Sequence, residues 1–441
     1  MEREKNMNHI RFYNARLITM EELVQIQENM QLWVIDNEIA YIGDGTDTGR
    51  IYAKYGNDPI IWDREIDCEG NVLMPGFKDA HTHSAMVLFR SMADDEPLQS
   101  WLNNLIFPIE AELTSEEVYE LTKLSVLEYL STGVTGVFEM YLTPESIQDA
   151  FYECGMRNVQ VSGINNFGPE LSVMEERFQK LNGRNDLSGY QLGFHAEYTC
   201  SRELLEDIAK MAQKYKAPVF AHNSETKLEV EECISRYGMT PTQLMDELGM
   251  FEYGGGGYHC VYFDDKDIEI FQKKNLSVVT NPASNLKLAS GIAPISKFLK
   301  AGINVAIGTD GAGSNNCLDM FREMFLVTGL AKYHDMDASS VDATEVLKMA
   351  TTGGAKAMGL KRCETLTEGN LADLIMIDLK QPNMQPMNNI VKNIVYSGSK
   401  TNVKMTMING RILYENGIYQ IGCDVEELYD KCNRIVERFK K

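Results

Sequence analysis

Hydrophobic and polar positions along this chain change rhythm twice. Between residues 9 and 67, short apolar runs at 10–18, 32–35, 39–42 and 60–66 are broken by Asp36-Asn37 and Gly43-Asp44-Gly45, the pattern of strands joined by tight turns. After residue 70, apolar runs of strand length recur at 71–77, 134–139, 158–164, 190–195, 217–221, 256–261, 276–280 and 303–308. Longer amphipathic stretches separate most of them and predict helices, among them Ser115 to Ser131 with Ser115 as its N-cap and Gly133 following its end, Ser201 to Tyr215 and Asp265 to Lys273. From residue 371 strand-like runs return at 372–379, 390–396, 403–408 and 411–414, with Asn409-Gly410 as a hairpin turn, and an amphipathic helix over 425–440 ends the chain.

Eight strands, each followed by a crossover, predict an α/β fold with a parallel (β/α)₈ barrel over 71–365. A doubly wound open sheet is the alternative, but no G-x-G-x-x-G follows an early strand. The two β-rich ends, 1–70 and 366–441, share a texture and are expected to meet as one small β-domain beside the barrel. No low-complexity segment or internal repeat interrupts this plan.

Composition narrows the function. The 441 residues carry 42 Lys+Arg against 64 Asp+Glu, a net charge of -22, with no basic stripe, so nucleic acid is not an expected partner. The nine cysteines are scattered, odd in number and never in C-x-x-C spacing, which reads as reduced thiols rather than a disulfide frame. The segment from Met1 to Asn8 has no apolar stretch of signal-peptide type, and no run approaches membrane-spanning length; a cytoplasmic protein without membrane contact is expected. The 24 methionines read as core filler.

The apolar run from Val72 leads into Asp79-Ala80-His81-Thr82-His83. Strand side chains alternate faces, so His81 and His83 project from the same side, half of a metal site. By itself such a pair is weak, and its weight comes from the other histidines. Of seven in all, five fall at the C-terminal ends of predicted barrel strands: His81 and His83 at the first, His195 at the fourth, His222 at the fifth and His259 at the sixth. Catalytic groups converge at that end of a barrel. The eighth run delivers Asp310 there, and a buried aspartate needs a partner that a metal held by histidines would provide. Glu225, three residues past His222, is placed to relay protons, unless it merely opens a solvated helix with Lys227 and Glu229. His9 and His334 read as surface residues. Gly254 to Gly257 read as a flexible turn rather than a phosphate cradle, since no P-loop lysine follows, and Trp101 either caps a substrate pocket or packs on a surface helix.

These segments resemble the amidohydrolase superfamily, and within it the methylthioadenosine/S-adenosylhomocysteine deaminases, related to guanine deaminases and s-triazine hydrolases. The resemblance rests on Met74-Pro75-Gly76-Phe77 through His83, Phe107-Pro108-Ile109-Glu110, the His195 strand, His222 to Glu225, Asn281 to Ala289, and Gly308 to Asn316, a set including Ser314. It implies a distorted barrel flanked by a β-sandwich built from both termini. It also implies one divalent metal per subunit, zinc or iron, held by His81, His83, His222 and Asp310, with His259 on the attacking water. Glu225 and Asp310 would move protons, while His195, Glu110, Ser314 and Trp101 would join them around the substrate. A lysine that bridges two metals in dinuclear relatives is missing from Gly193-Phe194-His195, so a single metal is implied. The implied activity is hydrolytic deamination of adenine nucleosides by a homodimer or homotetramer. The stretch Val161 to Asn166 lacks the arginines that hold an amino-acid carboxylate in this family, which favours a small or uncharged 5′ group. An s-triazine or other heterocycle hydrolase, and an inactive metal-binding relative serving as a binding protein, are the alternatives.

Overall fold

The structure, a computed structural model, describes residues 8–440 except 23, 56–59 and 93. Most of the N-terminal stretch read for a leader therefore lies outside the described residues. Two nine-stranded sheets organise the chain. One is parallel and runs in sequence order through Phe77–His83, Val134–Glu139, Arg157–Val161, Ser188–Ala196, Val219–Asn223, Gly255–His259, Ser277–Thr280 and Asn304–Ile307. The short strand Asp310–Gly311 then pairs with Thr82 and His83, bringing the end of the eighth run back to the first strand. This is a curled sheet of the TIM-barrel kind. Its interior is filled from several strands at once, by Ala80, Phe138, Val159, Val161, Phe220, Tyr258, Val279 and Ala306.

The second sheet takes strands from both ends of the chain. Leu374–Ile377 pairs antiparallel with Val72–Pro75, which in turn pairs with Arg16 and Leu17 of His9–Ile18. Phe12, Leu17, Leu32 and Leu73 from one end pack with Leu374, Met376, Met405 and Met407 from the other. The expected hairpin forms at Asn409 and Gly410, both with positive φ (51° and 75°), as a type I′ turn requires.

Three readings of the pattern are corrected. The run 71–77 is not one barrel strand: Val72–Pro75 belongs to the terminal sheet and Phe77–His83 opens the barrel. Both pieces are buried on both faces, so no alternation marks the break. Gly76 is the crossing point, where a Cβ would lie 2.0 Å from the Thr135 side chain. The run 390–396 is a helix, Ile390–Tyr396, capped by Asn389. Ile390, Val391, Ile394 and Val395 are its buried residues, a helical spacing that a short apolar run disguises as a strand. Thr114, not Ser115, caps Ser115–Ser131, through a capping box with Glu117.

The closing helix, Val425–Phe439, buries Leu428 and Cys432 and docks on Ser115–Ser131, with the Cys432 thiol 3.6 Å from the Glu120 carbonyl. The two sheets are joined by a buried ion pair. Arg157 of the third barrel strand donates to both oxygens of Asp373, at 2.6 and 3.0 Å.

Candidate metal centre and active site

The centre is assembled by strand ends. His81 and His83 point the same way from the first strand, and Asp310 enters beside them because Asp310 pairs with Thr82 across the closing bridge. The Asp310 carboxylate lies 3.1 Å from His83 Nε2 and 3.6 Å from His81 Nε2. His222 is the penultimate residue of the fifth strand and His259 the last of the sixth, with their rings stacked 5.5 Å apart and 4.9 and 5.8 Å from the His81 ring. Two sets of potential ligand atoms lie within 4.8 Å of one another: His81, His222 and His259, and His81, His83 and Asp310. Both contain His81, so they describe one centre.

Close backbone approach makes this possible. Strand eight passes strand one at Gly308, where a Cβ would sit 2.7 Å from the backbone N and O of His81. Asp79 then ties the strands by accepting from the Thr309 N–H at 2.8 Å and its hydroxyl at 2.5 Å.

Outer contacts set the tautomers. Nδ1 of His83 meets the Met140 carbonyl, Nδ1 of His222 the His195 carbonyl at 2.7 Å, and Nδ1 of His259 the Asn285 side-chain oxygen at 2.7 Å. Each ring thus donates from Nδ1 and turns Nε2 inward. Burial, followed by the neighbouring imidazoles, holds His81 and His222 well below the usual histidine range, so both are neutral. Burial opposes charge on His83 as well, but Asp310 overrides it and raises His83 to about 9, while Asp310 is held well below the carboxylate range. The centre therefore favours positive charge at its middle. His81 is buried with no hydrogen-bond partner for either ring nitrogen. An orphaned imidazole among neutral imidazoles and a carboxylate fits a divalent cation of the zinc or iron type.

Asp310 is also fixed from behind. Its second oxygen accepts from the hydroxyls of Ser284 at 2.6 Å and Ser314 at 3.0 Å, so Ser314, expected around the substrate, is directed at the carboxylate. Glu225 is buried, with one oxygen accepting from the Ser290 hydroxyl at 3.0 Å and the other 3.9 Å from His259 Nε2. Its helix is not simply solvated at this end. Glu229 is buried and accepts from the N–H groups of Ser224 and Glu225, at 2.9 and 2.8 Å, with burial and the Glu225 charge pushing it up to about 8.

His195 lies beside the centre, its ring 4.9 Å from His222 and its Nδ1 3.2 Å from the Thr199 hydroxyl; burial lowers it to about 4. Glu110 is half-buried, facing Tyr141 and His83, and burial raises it to about 7. Trp101 is buried rather than surface-packed, its ring 3.1 Å from where a Cβ on Gly313 would stand. His9 and His334 lie away from the centre, bonded to the Ile61 carbonyl and to Asp335. Gly255 to Gly257 are part of the sixth strand rather than a loose turn, and a Cβ at Gly256 would lie 2.2 Å from the Ser277 carbonyl.

Ser284, Asn285, Ser290 and Glu229 escaped the sequence reading as site residues. Glu229 had a signal, the capping box Thr226-x-x-Glu229. Ser284 and Asn285 lie in the segment Asn281 to Ala289 that carries the resemblance, though no role follows from it, and Ser290 has no signal, since a serine reaches a partner here only through tertiary contact.

The arrangement can bind a cation, hold a water against it and offer two carboxylates for proton transfer. Residues 72–413 match the amidohydrolase family. A 5-methylthioadenosine/S-adenosylhomocysteine deaminase of Caldanaerobacter subterraneus subsp. tengcongensis is 38% identical over 428 residues, covering 94% of this chain and 95% of that protein. A 5′-deoxyadenosine deaminase of Methanopyrus kandleri is 37% identical over 384 residues, covering 86% and 89%. The zinc-bound crystal structure of an adenosine deaminase from Xanthomonas campestris superposes with a TM-score of 0.90 at 29% identity, covering 98% of this chain and 99% of that one. Family pattern, curated relatives and site geometry agree, and the chain belongs to the amidohydrolase family, in the group of the methylthioadenosine/S-adenosylhomocysteine deaminases.

Proposed function

We propose that this enzyme hydrolyses the exocyclic C–N bond of adenine nucleosides, giving the inosine analogue and ammonia. The observation that carries the reading is the position of Glu225, buried 3.9 Å from His259 beside a centre of histidines and Asp310. His81, His83, His222 and Asp310 would hold a divalent cation, zinc or iron, which would supply the Lewis acidity that lowers the pKa of water to about 7. Asp310, fixed by Ser284 and Ser314, takes one proton from the attacking water, which His259 orients. Glu225 delivers a proton to the ring nitrogen next to the carbon under attack. The water oxygen bonds to that carbon, the C–N bond breaks, and the two water protons end on the ring nitrogen and on the departing ammonia.

His195, neutral and partly exposed, is placed for the purine edge, Glu110 for the ribose hydroxyls, and Trp101 to cover the base. The substrate's 5′ group is uncharged in this reading. Arg177 is engaged by Glu145 at 2.8 and 3.1 Å and Arg184 by Asp149 at 2.8 Å, which leaves neither as a carboxylate clamp. The terminal sheet is read as a sandwich formed by segments 1–75 and 366–441 beside a barrel that opens at Phe77. All nine cysteines are free, which supports a reducing, cytoplasmic setting; no described helix is long and apolar enough to cross a membrane.

The test is ammonia release from purified protein given adenosine, 5′-methylthioadenosine, 5′-deoxyadenosine, S-adenosylhomocysteine or melamine. Turnover of the first three, abolished at least a hundredfold by Glu225→Gln with metal content kept, is expected. Turnover of melamine in place of the nucleosides would replace the reading with a triazine hydrolase.

A further inference from the structure

Two short segments supply most of the hydrogen bonds that brace the centre from behind. Helix Pro282–Lys287 carries Ser284, which donates to Asp310 at 2.6 Å, and Asn285, which accepts from His259 Nδ1 at 2.7 Å. The turn Ala312–Asn315 carries Ser314, which donates to the same Asp310 oxygen at 3.0 Å. Both segments lie beyond the ends of their strands, where no sheet ladder holds them.

One side chain ties the two together. Glu323 stands in the first turn of helix Met320–Asp335, a position where a glutamate is ordinarily solvated, yet it is fully buried, at 0% exposure. One of its oxygens accepts from the Ala283 N–H at 3.0 Å and the other from the Asn315 side-chain amide at 2.8 Å. That amide also donates to the Thr309 carbonyl at 2.6 Å, one residue before Asp310. Ala283 precedes Ser284 and Asn315 follows Ser314, so each bond of Glu323 lies one residue from a hydroxyl that grips Asp310. A carboxylate is the group that can accept from two N–H donors at once in so dry a place, and bonds to a charged acceptor hold their donors more firmly than bonds to a neutral one.

We propose, on the reading of Asp310 as a cation ligand and proton acceptor, that Glu323 is a positioning residue. It sets helix Pro282–Lys287 against the turn Ala312–Asn315, and through Ser284 and Ser314 it fixes the direction of the Asp310 carboxylate. Asn285, on the same helix, sets His259 in step with it.

Zinc affinity, read by competition with a chelator, and steady-state kinetics in excess zinc test this on the intact chain. Glu323→Gln keeps the shape but turns an amide N–H toward one of the two donors. It is expected to weaken zinc binding at least tenfold, in line with the 10- to 100-fold that outer partners of a ligand typically contribute. In excess zinc, kcat should fall at least tenfold with KM within about twofold, the mark of an interaction felt in the transition state. Ser284→Ala is expected to show similar losses, and the double variant no more than about twofold beyond the worse single, because residues acting through one contact do not add. A glutamate that only steadied the fold would lower the thermal midpoint and leave zinc affinity untouched. An unchanged zinc affinity, or losses that multiply in the double variant, overturns the proposal. Should Glu323→Gln not fold, Asn315→Ala, which removes one of the two bonds and keeps the carboxylate, is expected to weaken zinc binding as well, and an unchanged affinity there overturns it equally. A wild type that binds zinc but releases no ammonia from any nucleoside would overturn the deaminase reading, and the zinc titrations would still decide the role of Glu323.

Discussion

At the scale of single residues, the site depends on small polar groups behind the reactive ones. Ser290 donates to one oxygen of Glu225 and leaves the other facing His259. A hydrogen bond to a charged group contributes about 1.5–3 kcal/mol, so Ser290→Ala should lower kcat roughly tenfold to a hundredfold with KM little changed, and Ser290→Thr should restore most of it. An unchanged kcat in steady-state assays would remove Ser290 from the mechanism. Asn285 is the outer partner of His259. Because His259 is read as orienting the water and not as holding the metal, Asn285→Ala should lower kcat about 10- to 100-fold while the metal content of the purified variant stays at the wild-type level. These residues show how far the sequence goes. His81, His83, His222, Glu225 and Asp310 were visible because their type is rare at strand ends, whereas Ser290 and Asn285 are ordinary residues until the fold aims them.

At the scale of elements, the barrel closes because strand eight can pass strand one. The near contact at Gly308 predicts that Gly308→Ala, though chemically minimal, destabilises by about 1–3 kcal/mol, since the added carbon would stand 2.5 Å from the Asn281 side-chain oxygen and also 2.7 Å from the His81 backbone, which cannot step aside. Chemical denaturation would measure it, and the same variant should bind metal more weakly because His81 moves with its strand. A stability equal to wild type would mean that the strands have slack the geometry does not show. Element types were mostly legible in the periodicity. The exception in type is Ile390–Tyr396, a short, largely apolar segment whose helical spacing passes for a strand, while in the run 71–77 the strand type held and only the break at Gly76 went unmarked.

At the scale of the whole molecule, Arg157 and Asp373 join barrel to terminal sheet. Removing one partner of a buried pair strands the other charge, so Arg157→Ala should lose about 3–5 kcal/mol, while Arg157→Met with Asp373→Leu should lose far less, both read as thermal midpoints. Burial works to raise Asp373, but Arg157 prevails and the carboxyl is held below its ordinary value. A carboxylate depressed in the folded state adds stability above its unfolded pKa, about 3.9, and loses it as pH falls through the folded value. The pair should thus hold the two sheets together at constant strength near neutrality and fail only in acid below about pH 4. Midpoints of wild type and double variant that fall in parallel down to pH 3 would contradict this.

The sequence by itself determined the parallel barrel, the residue types of the centre and the absence of a second-metal lysine, because strand-end histidines and apolar runs are local signals. Only the tertiary structure decided that Val72–Pro75 leaves the barrel for the terminal sheet, that Ser314 braces Asp310, and that Glu229 is buried beneath Glu225. Those facts depend on which distant segments touch, and contact between segments hundreds of residues apart leaves no period, cap or turn in the chain to read.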